Sequence, residues 1–425
     1  MRIVVQGLWH LGCVTAGCCA QHHEVVGLDF DEPTVSTLQE GKAPLFEPGL
    51  NDLIAAGLAR KSLSFTSDPR AACAAADVLW LCYDTPVNDR DESDTQFVLA
   101  NLRKSVPHLP GGAVVLISSQ LPVGTCRELE KEFPQFHFAY SPENLRLGKA
   151  IDAFTKAERV IVGQRSEAKQ ELIQKLFEPF TQQIILMRTE SAEMVKHALN
   201  SFLALSITFI NEIARLCERT GANAKEVAAG LKSDVRIGPR AYLGPGGPFA
   251  GGTLARDVVT LTHLAAEKNE HLPLISAIKQ SNDEHRNWNL QRLHLRLGDL
   301  RGKTIAILGL TYKPGTDTLR RSAAVELCHE LINAGASVRA VDPAVKRLPV
   351  DLAKIALVSS VMEAAEKADA VVVCTEWPEF REVRWVEAAG LMRGRLVLDA
   401  NCFLQKELKE VPAVEHVSVG GSVMG

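Results

Sequence analysis

A β-branched run, Arg2-Ile3-Val4-Val5, enters a turn at Gly7, leaves it at Gly12 into an apolar helical stretch, and is followed by a second run over Glu24 to Leu28 that ends at Asp29. Strand and helix differ in hydrophobic period, and glycine permits the backbone conformations and close approach that the turn between them needs. This order predicts a strand–turn–helix–strand unit with two parallel strands, and parallel strands must be covered on both faces. The same order returns late in the chain. Thr304 to Leu308 reads as a strand, Gly309 as the turn, Ala323 to Ala334 as a helix, and Ser337 to Val341 as a strand ending at Asp342.

Between these ends the chain alternates. Further strands are expected at Val78 to Cys82, Val114 to Ser118, His137 to Tyr140 and Arg159 to Val162, and in the last part at Ala370 to Cys374 and Leu396 to Asp399. From Ser191 to Arg219 the pattern is that of one long helix, with Met194, Ala198, Phe202, Leu205 and Phe209 at helical spacing, followed by helical stretches at Ala224 to Leu231, Leu254 to Lys268 and Leu274 to Leu297. The fold class expected is α/β: two Rossmann-like doubly wound parallel-sheet domains joined by a central long-helix region. The boundaries fall at 1–187, 188–298 and 299–425, the middle part serving as active-site and dimerisation region.

A chain of 425 residues exceeds one ordinary core, which agrees with several domains. With 23% charged residues and a net charge of −4, nothing calls for nucleic acid as a partner. Apolar runs such as Ala113 to Ile117 are strand-length, too short to span a membrane, and the early glycine turn leaves no room for a signal peptide, so a cytoplasmic protein is expected. The ten cysteines lack paired zinc-ligand spacing and most lie in apolar stretches, so buried free thiols are expected and no metal site.

In a dinucleotide turn the first glycine makes the bend, the second lets backbone approach the pyrophosphate, and the third lets helix pack on strand. Here the middle position is Trp9, whose indole is expected to crowd a pyrophosphate unless it points away. Asp29 lies about 20 residues on, where a carboxylate accepts hydrogen bonds from a ribose and repels a 2′-phosphate, which favours NAD over NADP. Gly7, Trp9, Leu11, Gly12 and Asp29 form the expected cofactor set.

Other segments carry a more specific pattern. They are Phe46-Glu47-Pro48-Gly49-Leu50, Asp84-Thr85-Pro86, Ser119-Gln120-Leu121-Pro122-Val123-Gly124-Thr125, Ser141-Pro142-Glu143-Asn144-Leu145-Arg146, Asp234-Val235-Arg236-Ile237-Gly238, Phe249-Ala250-Gly251-Gly252-Thr253-Leu254-Ala255-Arg256-Asp257, Gly309 to Arg320, and Thr375 to Phe380. In this order they resemble the signature stretches of the UDP-glucose/GDP-mannose dehydrogenase family across essentially the whole chain. The resemblance implies NAD as cofactor, a nucleotide-sugar substrate, a homodimer through the central helices and a place in polysaccharide biosynthesis. It carries Thr85, Pro86 and Gln120 to the cofactor, Leu145, Arg236, Phe249, Gly251, Lys313 and Arg320 to the substrate, and Glu143, Lys196, Asn200, Thr253 and Asp257 to catalysis. A lone lysine on a helix is ordinarily a solvated one. Lys196 is set apart by standing one turn from Asn200 on the same helix face.

The departures cluster. Thr253 stands where the family has its nucleophilic Cys, Arg256 where it has Lys, and Gln120, Asn144, Leu147 and Ala400 replace other expected residues. A thiol near pKa ~8.5 becomes a nucleophile after modest activation, whereas an alcohol needs a dedicated base. The expected function is an NAD-dependent oxidoreductase acting on the CH–OH group of a nucleotide sugar without the thiohemiacetal route; the alternative is a non-catalytic scaffold that binds nucleotide sugar and NAD.

Overall fold

The computed structural model describes residues 1–425 apart from 89–91, 144, 251, 412–413 and 422–425. The chain forms two compact units, Met1–Leu199 and Asn200–Gly425. In the first, β1 (Arg2–Gln6), β2 (Glu24–Leu28), β3 (Leu63–Thr66), β4 (Val78–Leu81), β5 (Val114–Ile117), β6 (His137–Tyr140), β7 (Val160–Gln164) and β8 (Ile184–Met187) form one sheet in the order β3-β2-β1-β4-β5-β6-β7-β8. All neighbours are parallel except β6 and β7. The inner strands β4 and β5 are buried at every position, as a sheet covered on both faces requires. The two strands that periodicity did not predict, β3 and β8, are the edges: short, and only partly buried, so neither shows a continuous apolar run.

The second unit has a six-stranded sheet in the order β11-β10-β9-β12-β13-β14, built from β9 (Thr304–Leu308), β10 (Ser337–Val341), β11 (Ala356–Leu357), β12 (Ala370–Val373), β13 (Leu396–Asp399) and β14 (Glu415–Val417). Again the unpredicted strands, β11 and β14, are the short edges. Helix Thr189–Thr220 is the long helix expected, and the point after Leu199 where the second unit begins falls within it. The single helical stretch expected over Leu274 to Leu297 is instead two helices, Pro273–Arg286 and Trp288–Leu297, parted at Asn287.

One backbone junction recurs in both units. In the first, the Gly7 N–H donates to Leu28 O at 2.9 Å and the Leu8 N–H to Asp29 Oδ2 at 2.6 Å. In the second, the Gly309 N–H donates to Val341 O at 2.8 Å and the Leu310 N–H to Asp342 Oδ2 at 2.7 Å. Both glycines have positive φ, and a Cβ on either would lie 2.7 Å or less from a residue just past the neighbouring strand: Tyr83 for Gly7, Thr375 for Gly309. Gly12 is held more tightly still, because a Cβ there would sit 1.7 Å from the Gly7 carbonyl oxygen. Helix His10–Cys19 can therefore lie on β1 only with glycine at this position.

Gly12→Ala should accordingly cost about 2–3 kcal/mol through overpacking. A urea titration checks it, and an unchanged midpoint would mean that the turn relaxes around the methyl group.

Candidate functional site

In the first unit the Gly7 turn after β1 and the Asp84-Thr85-Pro86 loop after β4 lie at the carboxyl ends of strands whose connections run to opposite sides of the sheet, where doubly wound folds bind ligands. The cofactor residues expected from sequence gather around this crevice. Gly7 and Gly12 are buried and set the turn and the close approach of the helix to it, and Leu11 is buried with them. Thr85 is buried and its hydroxyl donates to the Gln120 carbonyl at 2.8 Å, joining two loops of the crevice; Pro86 is exposed beside it. Trp9 occupies the N-cap of helix His10–Cys19 and is 49% exposed, so its indole can turn out of a ligand's way without losing core packing.

The aspartates of the two junctions differ in the acceptor capacity they keep for a ligand. Asp342 is buried, and its two oxygens accept from Leu310 N, Thr311 N, Thr311 Oγ1, Trp377 Nε1, Ala344 N and Val345 N. Asp29 is half-buried and accepts one N–H on each oxygen, from Leu8 and from Asp31 at 3.1 Å. A carboxylate oxygen has two lone-pair sites, so Asp29 retains acceptor capacity that Asp342 has spent on its own fold. The Gly7 turn of the first unit therefore keeps a carboxylate acceptor beside it that the Gly309 turn of the second has lost to its own backbone.

Lys196 is 5% exposed, contrary to what a lone helical lysine ordinarily is. Its ammonium donates to the Glu143 carbonyl at 2.6 Å and to Glu143 Oε1 at 2.9 Å, while Glu143 Oε2 accepts the Leu145 N–H at 2.9 Å. Flanking residues of the same helix anchor the Gln120 loop. Glu193, fully buried, accepts the N–H groups of Gly124 and Cys126 at 2.6 and 2.9 Å, and His197 Nε2 lies 3.2 Å from Leu121 O. Burial pushes the Glu193 carboxyl above the usual carboxylate range, against the two amide donors that favour its charged form. Sequence reasoning missed both anchors, since neither residue type signals a loop anchor when its partners lie 67 and 69 positions away, for Glu193, or 76, for His197.

In the second unit Asn200 Nδ2 donates to Asp257 Oδ2 at 2.5 Å, and Asp257 is 0% exposed. Thr253 opens helix Thr253–Glu267 after Gly252 and is exposed. Gly251 and Asn144 lie outside the described residues. The turn before Thr253 is clamped by side chains that the sequence did not single out for this purpose. Asn282 exchanges two hydrogen bonds with the Phe249 backbone, at 2.9 and 3.0 Å; Asn211 holds Gly246 and Gly247, and Asn401 Oδ1 accepts the Gly247 N–H at 2.6 Å.

A cavity of about 250 Å³ opens at the carboxyl ends of β9, β12 and β13, between Phe249, Trp288, Tyr312, Lys313, Arg321 and Asn401. Phe249 and Lys313 thus line one cavity. Arg320 is exposed outside the lining, and Arg321, its neighbour at φ +61°, takes a place on the wall. Ala400, which replaces a charged family residue, also lines it. Arg236 is exposed and grips Asp234 at 3.0 and 2.6 Å, holding that carboxyl below its usual range.

Two Rossmann-like parallel sheets, the first with an aspartate that keeps acceptor capacity beside its glycine turn, define a protein of the doubly wound α/β class. The sequence profiles of the UDP-glucose/GDP-mannose dehydrogenase family match in all three parts: the NAD binding domain over residues 1–181, the central domain over 190–284 and the UDP binding domain over 306–406. The chain belongs to the UDP-glucose/GDP-mannose dehydrogenase family. It is 34% identical over 430 residues to the UDP-glucose 6-dehydrogenase TuaD of Bacillus subtilis, covering 99% of this chain and 93% of that one. It is 34% identical to the UDP-glucose 6-dehydrogenase of Rhizobium meliloti, covering 99% of both. Among solved structures, a UDP-glucose dehydrogenase from Pyrobaculum islandicum superposes with a TM-score of 0.87 at 28% identity, covering 99% of this chain and 98% of that one. The protein is therefore an NAD-dependent oxidoreductase of the nucleotide-sugar dehydrogenase type.

The Lys196–Glu143 pair yields a stability prediction. Glu143→Gln leaves a buried ammonium without its counter-charge and should cost about 2 kcal/mol, whereas adding Lys196→Met to it should recover part of that loss. Denaturant titrations of the two single variants and the double variant measure this, and strictly additive losses would contradict it.

Proposed function

We propose that the protein oxidises a CH–OH group of a nucleotide sugar, in the manner of a UDP-glucose 6-dehydrogenase, without a thiohemiacetal and with one hydride removed per sugar. Its relatives are UDP-glucose 6-dehydrogenases, which favours a UDP-sugar as substrate. NAD, when bound, supplies the hydride acceptor. Gly7, Gly12 and Leu11 form the floor of its site, Asp29 takes the ribose, and Thr85, Pro86 and Gln120 border the nicotinamide side. On the substrate side Lys313, with Arg320 and Arg321 nearby in sequence, supplies cationic charge for the diphosphate, Phe249, Gly251 and Leu145 contact the nucleotide sugar, and Arg236 serves a neighbouring subunit.

The observation that carries this reading is the burial of Lys196. A desolvated ammonium that is held by Glu143 and retains a third N–H can stabilise the alkoxide as the hydroxyl loses its proton. A purely structural scaffold has no need of a buried cation at that place. Asn200 and Asp257 form a second polar pair able to hold a water or a hydroxyl. Thr253 lacks the acidity of a thiol, and the nearest carboxylate along its helix, Asp257, is buried and already bonded to Asn200. Thr253 is thus a lining residue in place of a nucleophile. The overall step converts CH–OH to C=O, the hydride going to NAD and the hydroxyl proton to solvent through these polar groups.

The protein should act as a homodimer in the cytoplasm. Phe202, Phe209 and Leu216, spaced seven apart on helix Thr189–Thr220, are all exposed in the single chain, an apolar seam that a second helix would cover. Ten free cysteines suit a reducing compartment.

Two measurements check this reading. With limiting UDP-glucose and excess NAD, the wild type should form one NADH per sugar oxidised and Thr253→Cys should raise the yield toward two; two per sugar in the wild type would defeat it, and a protein that binds both ligands without forming NADH would favour the scaffold. Phe209→Glu should halve the mass seen by light scattering, and a wild type already monomeric would refute the seam.

A further inference from the structure

The stretch that ends in Phe46-Glu47-Pro48-Gly49-Leu50 has no part in the chemistry above, yet its glutamate is 4% exposed. Its carboxylate receives donors from two separate segments. His10 Nε2 donates to Glu47 Oε2 at 3.0 Å, the Gly148 N–H donates to the same oxygen at 2.7 Å, and the Ala150 N–H donates to Oε1 at 2.9 Å. Burial disfavours a charged carboxylate, but the bonds from His10, Gly148 and Ala150 outweigh it and hold Glu47 below the usual range, so it is ionised at neutral pH.

The partners give this bridge its meaning. His10 belongs to the cofactor turn, between Gly7 and Gly12, and opens helix His10–Cys19. Gly148 and Ala150 end the loop in which Glu143 holds Lys196 and accepts the Leu145 N–H. The Glu47 carbonyl also accepts the Leu50 N–H at 3.1 Å, fixing the start of helix Leu50–Ala59. That helix packs on the cofactor helix at Gly17, where an added Cβ would lie 3.4 Å from Leu50 Cδ1. The glutamate is therefore immobilised from its own backbone while its side chain spans the turn and the loop.

We propose that Glu47 is a positioning residue that couples the cofactor turn to the loop after Glu143, so that occupancy of the turn orders the segment from Leu145 to Ala150 through His10. This rests on NAD binding at the turn. A charge-assisted bridge with three donors has two well-defined arrangements, made or broken, and ligand at one end biases the other end by its difference in affinity for the two.

Amide hydrogen exchange of the full-length protein, read at Gly148 and Ala150 with and without NAD, tests the coupling, while protein fluorescence reports NAD binding independently. NAD should slow exchange at both amides in the wild type. His10→Phe removes the link to the turn but leaves both amide bonds to Glu47; compared at NAD concentrations that give the same occupancy by fluorescence as in the wild type, it should lose the slowing by about fivefold or more. His10→Gln, which restores a side-chain N–H, should recover part of it. Glu47→Gln cannot accept on both sides and should exchange rapidly with or without NAD. A merely structural glutamate would leave His10→Phe with the wild-type response, and that result overturns the proposal. Slowing absent in a wild type that binds NAD overturns the coupling alone, whereas a wild type that binds no NAD overturns the cofactor assignment along with it.

Discussion

A backbone amide just past a glycine turn, bonded to the aspartate that ends the neighbouring strand, is the constraint on which both units are built. Leu8 to Asp29 and Leu310 to Asp342 fix the angle at which the chain leaves its first strand. The glycines before them lie too close to Tyr83 and Thr375 to carry a side chain. With that angle set, the following helix packs on the sheet and the crevice opens at the strand ends. The units then diverge through what else their aspartate must bind. Asp342 is consumed by six donors, and the cleft of its unit is lined instead by Lys313, Arg321 and aromatic side chains. Asp29 keeps capacity for a ligand. One junction thus yields a dinucleotide site in one unit and a site of different chemistry in the other.

The catalytic reading depends on polar groups that are buried and paired. Lys196 and Glu143 satisfy each other, Asn200 satisfies Asp257, and Glu193 fastens the loop carrying Gln120 to the helix that carries Lys196. Buried polar groups held this firmly restrict the motion of whatever they contact, which suits a site that must steady a developing alkoxide. In the reaction proposed above, Thr253 at an exposed helix start limits what can follow the first oxidation and leaves that arrangement untouched.

The sequence made most of this legible where the signal is local. The inner strands, both glycine turns and the long helix follow from hydrophobic period and glycine placement, and nine of the ten expected strands begin and end within a residue of the expected limits, β7 alone running two residues further. The edges β3, β8, β11 and β14 escaped because a short, half-covered strand has neither alternation nor an apolar run to show. The break at Asn287 escaped for a related reason, since the apolar pattern continues across it from one helix into the next. In the candidate site, partnership was not legible. Lys196 could be singled out from its register with Asn200, but its burial against Glu143, the clamps from Asn211, Asn282 and Asn401, and the place of Arg321 on the cavity wall all depend on segments far apart in the chain.

The central claim is that this scaffold removes one hydride and stops, because the position that would capture the aldehyde holds an alcohol. Mass spectrometry of the product formed from UDP-glucose carrying two deuterium atoms at C6 tests it directly. One deuterium should pass to NAD and one remain on a C6 aldehyde or its hydrate. A C6 carboxylate retaining no deuterium would contradict the account.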